Sequence, residues 1–448
     1  MAYHSHKDSA VTANFAEALL ASLAPDGGLW MPDALPYYSP EETAQLGARP
    51  FWECAAELAT HFVDGKIDTE ALRDLCKDAY NFDVPMTTLS GKTLDVAMAE
   101  NDDEYILELF HGPTLAFKDF AARFMGRSAS HLMQSTGQTR TILVATSGDT
   151  GGAVGDAFLD QDGIRVVILY PEGGVSKVQE QQLCTIGNKK SNVQAVKLEG
   201  TFDDCQQLVK DAFADSELTK KHNLMSANSI NVGRVVPQSF YYFWTALQVK
   251  AAHPGKSVVF SIPSGNLGNL TGGIIAKKMG APIHKFVVGN NTNDPFVDYL
   301  NDGEYRPRPS VPTLSNAMDI GRPNNFPRIV DLLNNDYNAV KDYCWGASYS
   351  DEETERHIRR IYNSTGYIMC PHTAVGHLAM NDFAEEYDLP CTKITVATAH
   401  PAKFADSVER IIGEDIALPS PLAKSMKKKK RVTALAPSLD ALRDYLAQ

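Results

Sequence analysis

The chain has 448 residues, of which 44% are hydrophobic and 22% charged, and a formal net charge of −13. That length is about three times a typical domain, so two or three domains are expected, with too much apolar content for wholesale disorder. The acidic balance excludes the electrostatic footprint of a nucleic-acid binder and offers no long-range attraction to an anionic substrate, so an anion site has to be built locally.

In chain order, residues 15–23 carry apolar side chains at helical spacing until Pro25-Asp-Gly-Gly breaks the pattern, and 51–62 and 69–80 repeat it. Residues 1–95 are therefore predicted to form a mainly helical domain. From about residue 104, short apolar runs bounded by Gly, Pro or Ser alternate with longer amphipathic ones. Strands are predicted at 105–109, 141–145, 165–169, 193–198, 257–262, 284–288, 367–369 and 393–397, with helical patterns in most of the gaps. This alternation predicts an α/β fold of parallel sheets covered by helices, divided into a smaller unit over 96–225 and a larger one over 226–448. The basic run Lys427-Lys-Lys-Lys-Arg431 reads as a solvated loop before a last helix at 439–446.

Seven scattered cysteines without a C-x-x-C pair suit reduced thiols rather than a disulfide framework. The first residues lack the apolar core of a signal peptide, and no uncharged apolar run approaches the ~18 residues needed to span a bilayer. The expectation is a cytoplasmic protein with no membrane partner.

Three loops could carry chemistry. In His111-Gly-Pro-Thr114-Leu-Ala-Phe-Lys118-Asp-Phe120, a Gly-Pro turn follows a strand and a helix is predicted to begin near Ala116. Lys118 then falls in the first helical turn among aromatics. A helix N-terminus disfavours a cation, so this lysine either reaches to water or is there as a neutral amine, the form Schiff-base chemistry needs. In Thr146-Ser147-Gly148-Asp149-Thr150-Gly151, a strand turns into a helix predicted to start near Gly152, and exposed N–H groups at such a start bind a carboxylate or phosphate. The glycine spacing is G-x-x-G, not the G-x-G-x-x-G of dinucleotide binding. In Pro263-Ser264-Gly265-Asn266-Leu267-Gly268-Asn269, consecutive N–H groups can curl round an anion, although a purely structural turn has the same composition. Two anion loops and one lysine suit a phosphorylated cofactor together with a carboxylate-bearing substrate.

Taken with Ala24-Pro-Asp-Gly-Gly-Leu-Trp-Met-Pro32, Asn228-Ser-Ile-Asn-Val-Gly-Arg234, Cys370-Pro-His-Thr-Ala-Val-Gly376 and Thr398-Ala-His-Pro-Ala-Lys-Phe404, these segments resemble the threonine synthases, of the pyridoxal phosphate (PLP) fold type II family that also contains tryptophan synthase β chains. The resemblance spans most of the chain. It implies two parallel-sheet α/β domains and a cofactor, pyridoxal 5'-phosphate, held as a Schiff base by Lys118, which also shuttles protons. It further implies that Gly265, Asn266, Leu267, Gly268 and Asn269 cradle the cofactor phosphate and that the Thr398 hydroxyl bonds the pyridine nitrogen. Ser147, Asp149 and Thr150 become expected contacts of the substrate carboxylate or the cofactor ring face and Thr114 an expected substrate contact, with Arg234 and Lys177 as candidates for the substrate phosphate.

The implied reaction converts O-phospho-L-homoserine and water to L-threonine and phosphate, in a monomer or homodimer. A phospholyase releasing 2-oxobutyrate, or a non-catalytic cofactor-binding homologue, would carry the same cofactor residues. No metal is expected at Cys370, His372 and His377. Two departures stand out: Tyr3-His4-Ser5-His6-Lys7-Asp8 replaces the family's Tyr-x-Ser-Thr-Arg-Gly, and Asn269 stands where many relatives carry Asp.

Overall fold

The computed structural model describes residues 2–94, 103–134, 137, 139–187 and 191–448. At the N-terminus, Tyr3–Ser5 lies between Thr12–Ala13 and Trp30–Pro32 in a three-stranded antiparallel sheet. Four helices accompany it: Phe15–Ala21, Pro40–Gly47, Phe51–Val63 and Thr69–Ala79. The first two start at capping boxes, Asn14 with Glu17 and Ser39 with Glu42, which satisfy the free N–H groups of the first turn. The Phe51 helix buries Phe51, Cys54, Ala55, Leu58, Ala59 and Phe62 along one stripe and stops at Asp64 in the left-handed region. Tyr3 Oη donates to the Phe62 carbonyl at 2.9 Å, fastening the small sheet to that helix. Lys7, in place of the family's arginine, donates to the Asp26 carbonyl at 3.2 Å.

The larger sheet has six strands in the order Cys344–Ser348, Ile283–Asn290, Ser257–Pro263, Cys391–Ala397, Glu104–Glu108, Met86–Thr87, all parallel except the last pair. The smaller has five parallel strands in the order Thr433–Leu435, Val193–Leu198, Ile164–Pro171, Arg140–Ala145, Leu224–Ser226. Central strands such as Phe260, Ser261 and Ile262 are buried on both faces, as helices on each side of a parallel sheet require.

The sheets do not follow the sequence-based division at 96 and 226. Glu104–Glu108 pairs with the far C-terminal strand of the larger sheet, Ile394 opposite Tyr105 and Val396 opposite Leu107. In return, Thr433–Leu435 pairs with the smaller sheet, and Leu442, Tyr445 and Leu446 of the helix Leu439–Leu446 enter its core. The chain thus crosses between the units three times. Residues 367–369 are not a strand: both neighbours of Glu104–Glu108 are already taken, and the segment runs into Pro371, which opens the helix Pro371–Glu386. The basic run is only partly solvated. Lys430 pairs with Glu180, and the Arg431 N–H donates to the Cys184 carbonyl at 2.7 Å, tying the tail to the helix Lys177–Leu183. Among the described residues no helix is long and apolar enough to cross a membrane.

Candidate active site

Four loops that leave the C-terminal ends of parallel strands meet between the two sheets, where α/β folds place their ligands. They line one cavity with Lys118, Ser147, Asp149, Thr150, Gly265, Asn266, Leu267, Gly268, Asn269 and Thr398, and Arg234 joins them from the helix Val232–Val235.

Lys118 is the first residue of the helix Lys118–Gln134, two residues later than the predicted start. The turn before it is tightly specified. Leu115 sits at φ 60°, and Asp119 accepts from the Thr114 N–H at 2.9 Å and the Thr114 hydroxyl at 2.5 Å. A Cβ on Gly112 would lie 2.4 Å from that carboxylate, which is why glycine precedes Pro113. The turn is pinned to the Thr398 loop by the Phe117 N–H to the Thr398 carbonyl at 2.8 Å and the His400 N–H to the Leu115 carbonyl at 3.1 Å. Lys118 Nζ ends 4.5 Å from the centre of the Phe117 ring. Burial pushes its pKa down to about 8, with Arg234 and Lys403 adding to the shift and Asp149 opposing it.

In the second loop, the Thr146 hydroxyl accepts from the Gly148 and Gly151 N–H groups at 2.9 and 2.8 Å, and the helix Asp149–Ala157 begins there. Gly148 has φ 131°, and a Cβ on it would lie 2.4 Å from the Gln179 side chain. Asp149 is not free to turn toward a substrate. Its Oδ1 receives Lys403 Nζ at 2.7 Å and Gln179 Nε2 at 3.0 Å. Burial would raise its pKa, but Lys403 and Lys118 outweigh that and hold the carboxyl well below its usual range. Lys403 is fully buried, and its Nζ also donates to the Thr114 carbonyl at 2.8 Å.

The third loop turns through Leu267 at φ 60° into the helix Gly268–Lys278. A Cβ on Gly265 would approach the Met318 Cα to 2.7 Å, so the backbone there is bare by necessity. Asn269 Oδ1 accepts from Tyr241 Oη at 2.5 Å and Tyr242 Oη at 2.8 Å, while its Nδ2 is buried with no partner. Arg234 donates to the Ala227 carbonyl, yet its Nε is also buried and unmatched, and burial pushes its pKa down to about 10. Unmet donors beside a glycine cradle at a helix start fit a phosphate-bearing group.

Two expected site residues lie elsewhere. Thr114 is buried under the cavity wall, its hydroxyl committed to Asp119. Lys177, 85% exposed, pairs at 3.5 Å with Asp406 on the surface, because Ser176 caps its helix and turns the first residue outward. Of Cys370, His372 and His377, His372 lines the cavity, its Nε2 accepting from the Ala317 N–H at 3.2 Å. His377 instead pairs with His357 at 2.7 Å and Glu104 at 2.8 Å. Among the described residues no cluster could hold a metal ion. Sequence reasoning missed Lys403, which stands inside a motif singled out for Thr398, and His372, weighed only as a metal ligand; the signal was there in both motifs, but not the direction of the side chain.

This fold and site define a pyridoxal-phosphate dependent enzyme, and the family of that description matches residues 97–399. Its flanks match the threonine synthase N terminus over 2–80 and the threonine synthase C-terminal region over 373–446. A threonine synthase of Haemophilus influenzae is 41% identical over 445 residues, covering 98% of both chains. The crystal structure of threonine synthase from Escherichia coli superposes with a TM-score of 0.89 at 37% identity, covering 100% of this chain and 99% of that one. A PLP-bound threonine synthase structure from Brucella melitensis gives the same TM-score at 34% identity, covering 100% and 98%. The chain belongs to the threonine synthase family.

Proposed function

We propose that the chain converts O-phospho-L-homoserine and water to L-threonine and phosphate, the last step of threonine biosynthesis, with Lys118 as the residue that holds pyridoxal phosphate. The observation that carries this reading is Lys118 Nζ, a buried amine with a pKa of about 8 at the meeting point of two anion-receiving loops. Pyridoxal phosphate, when bound, supplies an electron sink that acidifies the substrate Cα–H. The 265–269 loop, with the Asn269 amide, would hold the cofactor phosphate, and the Thr398 hydroxyl, a neutral group on the cavity wall, would serve the pyridine nitrogen without forcing it to be protonated.

With the cofactor bound, Lys118 Nζ would take the Cα proton and then a Cβ proton as phosphate departs from Cγ, and would return protons to Cγ and to Cα as the hydroxyl of water adds at Cβ. Ser147 and Thr150, at the start of the helix Asp149–Ala157, receive the substrate carboxylate. Asp149, fixed by Lys403, acts as a stationary negative pole beside Lys118 rather than as a carboxylate ligand. Arg234 supplies the guanidinium for the substrate phosphate, since Lys177 points away.

The test is to supply the purified chain with PLP and O-phospho-L-homoserine and to assay phosphate, threonine and 2-oxobutyrate together. Threonine formed in step with phosphate supports the reading. Phosphate with 2-oxobutyrate assigns a phospholyase, and absence of turnover with the cofactor present overturns both.

A further inference from the structure

Arg328 is among the largest fully buried side chains, 1% exposed, on the helix Phe326–Leu332. Its guanidinium donates only to uncharged oxygens: the Trp30 carbonyl at 3.4 Å, the Ser229 carbonyl at 2.8 Å, the Ile230 carbonyl at 2.7 Å and Asn325 Oδ1 at 2.5 Å. Burial alone accounts for a pKa lowered to about 9, with no carboxylate opposing it. A buried cation without an anion is costly and is kept where an anion arrives later or where its hydrogen bonds fix a geometry.

The second condition is met at one loop residue, Asn266. Its carbonyl accepts from Asn325 Nδ2 at 2.9 Å, its Oδ1 accepts from the Asn324 N–H at 2.5 Å, and its Nδ2 donates to Ser229 Oγ at 3.0 Å. Two of the residues that grip Asn266, Ser229 and Asn325, are themselves gripped by Arg328. Through Trp30 the same guanidinium reaches the N-terminal sheet.

We propose that Arg328 is a positioning residue: through Asn325 and Ser229 it presets the 265–269 loop for the phosphate that loop receives. This rests on the assignment of the cofactor phosphate to that loop. Removing Arg328 then weakens a phosphate-bearing ligand selectively, because the ring of the cofactor meets other residues.

The measurement is the ratio of the dissociation constants of pyridoxal and pyridoxal phosphate for the full chain stripped of cofactor, in the wild type, Arg328→Met, Arg328→Lys and Asn325→Ala. The expected result is a drop in that ratio of about tenfold or more in Arg328→Met, with pyridoxal itself bound nearly as before. Arg328→Lys keeps the charge and recovers part of the ratio. Asn325→Ala keeps the arginine but cuts its link to Asn266, lowers the ratio too, and decides the matter should Arg328→Met not fold. An unchanged ratio in the variants that fold, or an equal loss for both ligands, overturns the inference. If the wild type itself binds the two ligands equally, the phosphate assignment of the loop fails first.

Discussion

At the scale of single residues, the surroundings of Lys118 favour its neutral amine. With a pKa of about 8, Lys118 is uncharged in roughly a tenth of molecules at pH 7, against well under a thousandth for an ordinary lysine. The rate at which the cofactor-free chain takes up PLP, followed by visible absorbance, is therefore expected to rise with pH through about 8 and level off above it. Lys403→Met leaves Asp149 as an uncompensated carboxylate facing Lys118 and moves that midpoint upward; adding Asp149→Asn moves it back. A midpoint indifferent to Lys403 would show that burial and the other neighbours set the lysine without it. The two candidate phosphate ligands separate in the same way. Arg234→Met is expected to lower kcat/KM by roughly a hundredfold or more, as loss of a buried charged donor does. Lys177→Ala, which breaks a solvent-exposed pair, leaves it within about twofold.

At the scale of elements, the order strand, loop, helix was legible because the sequence changes period at each boundary. Val258-Val-Phe-Ser-Ile is apolar but for Ser261 and becomes a strand buried on both sides, and Ser264-Gly-Asn after Pro263 becomes the turn. Edge strands escaped notice for a physical reason. Cys344–Ser348 and Leu224–Ser226 are short and poor in β-branched residues, and they form because a neighbouring strand offers its hydrogen bonds. Lys118, Thr398 and the 265–269 loop could be named from motifs. The outward turn of Lys177 and the inward turn of Lys403 could not, since each depends on how a helix start is capped or how one loop lies over another. The 265–269 loop also gives a steric test. In Gly265→Ala the new Cβ meets backbone, the Met318 Cα at 2.7 Å and the Ala317 carbonyl at 3.3 Å, and neither can yield as a side chain end would. Cofactor affinity, measured by equilibrium titration, is expected to fall by about tenfold or more.

At the scale of the whole molecule, buried histidines contribute to the acid limb of stability. Burial lowers His357 to about 3 and His372 and His400 to about 4, so the folded chain holds all three neutral at pH values where the unfolded chain charges them. Each folded-state pKa lies below the unfolded value of 6.5, so their contribution is complete above that pH. It is lost as pH falls from there toward 4, as unfolding takes up to three protons. The midpoint of thermal unfolding is expected to drop over that window, and less steeply in His357→Gln, whose partner His377 sits far from the cavity. An unchanged slope would place the acid sensitivity elsewhere. Domain division was the least legible feature, because the pairing of Glu104–Glu108 with Cys391–Ala397 joins segments nearly three hundred residues apart, and no local pattern announces such a partner.

The strand Thr433–Leu435 covers what would otherwise be the open side of Val193–Leu198. A ribosome adding roughly 5–20 residues per second needs on the order of ten seconds or more to travel from one segment to the other. For all that time a flat row of unpaired peptide groups is on offer to any passing β-segment, including those of sister chains on the same messenger. Slowing translation ahead of residue 433 is therefore expected to raise the share of chains that ends in aggregates, measured by pelleting after synthesis.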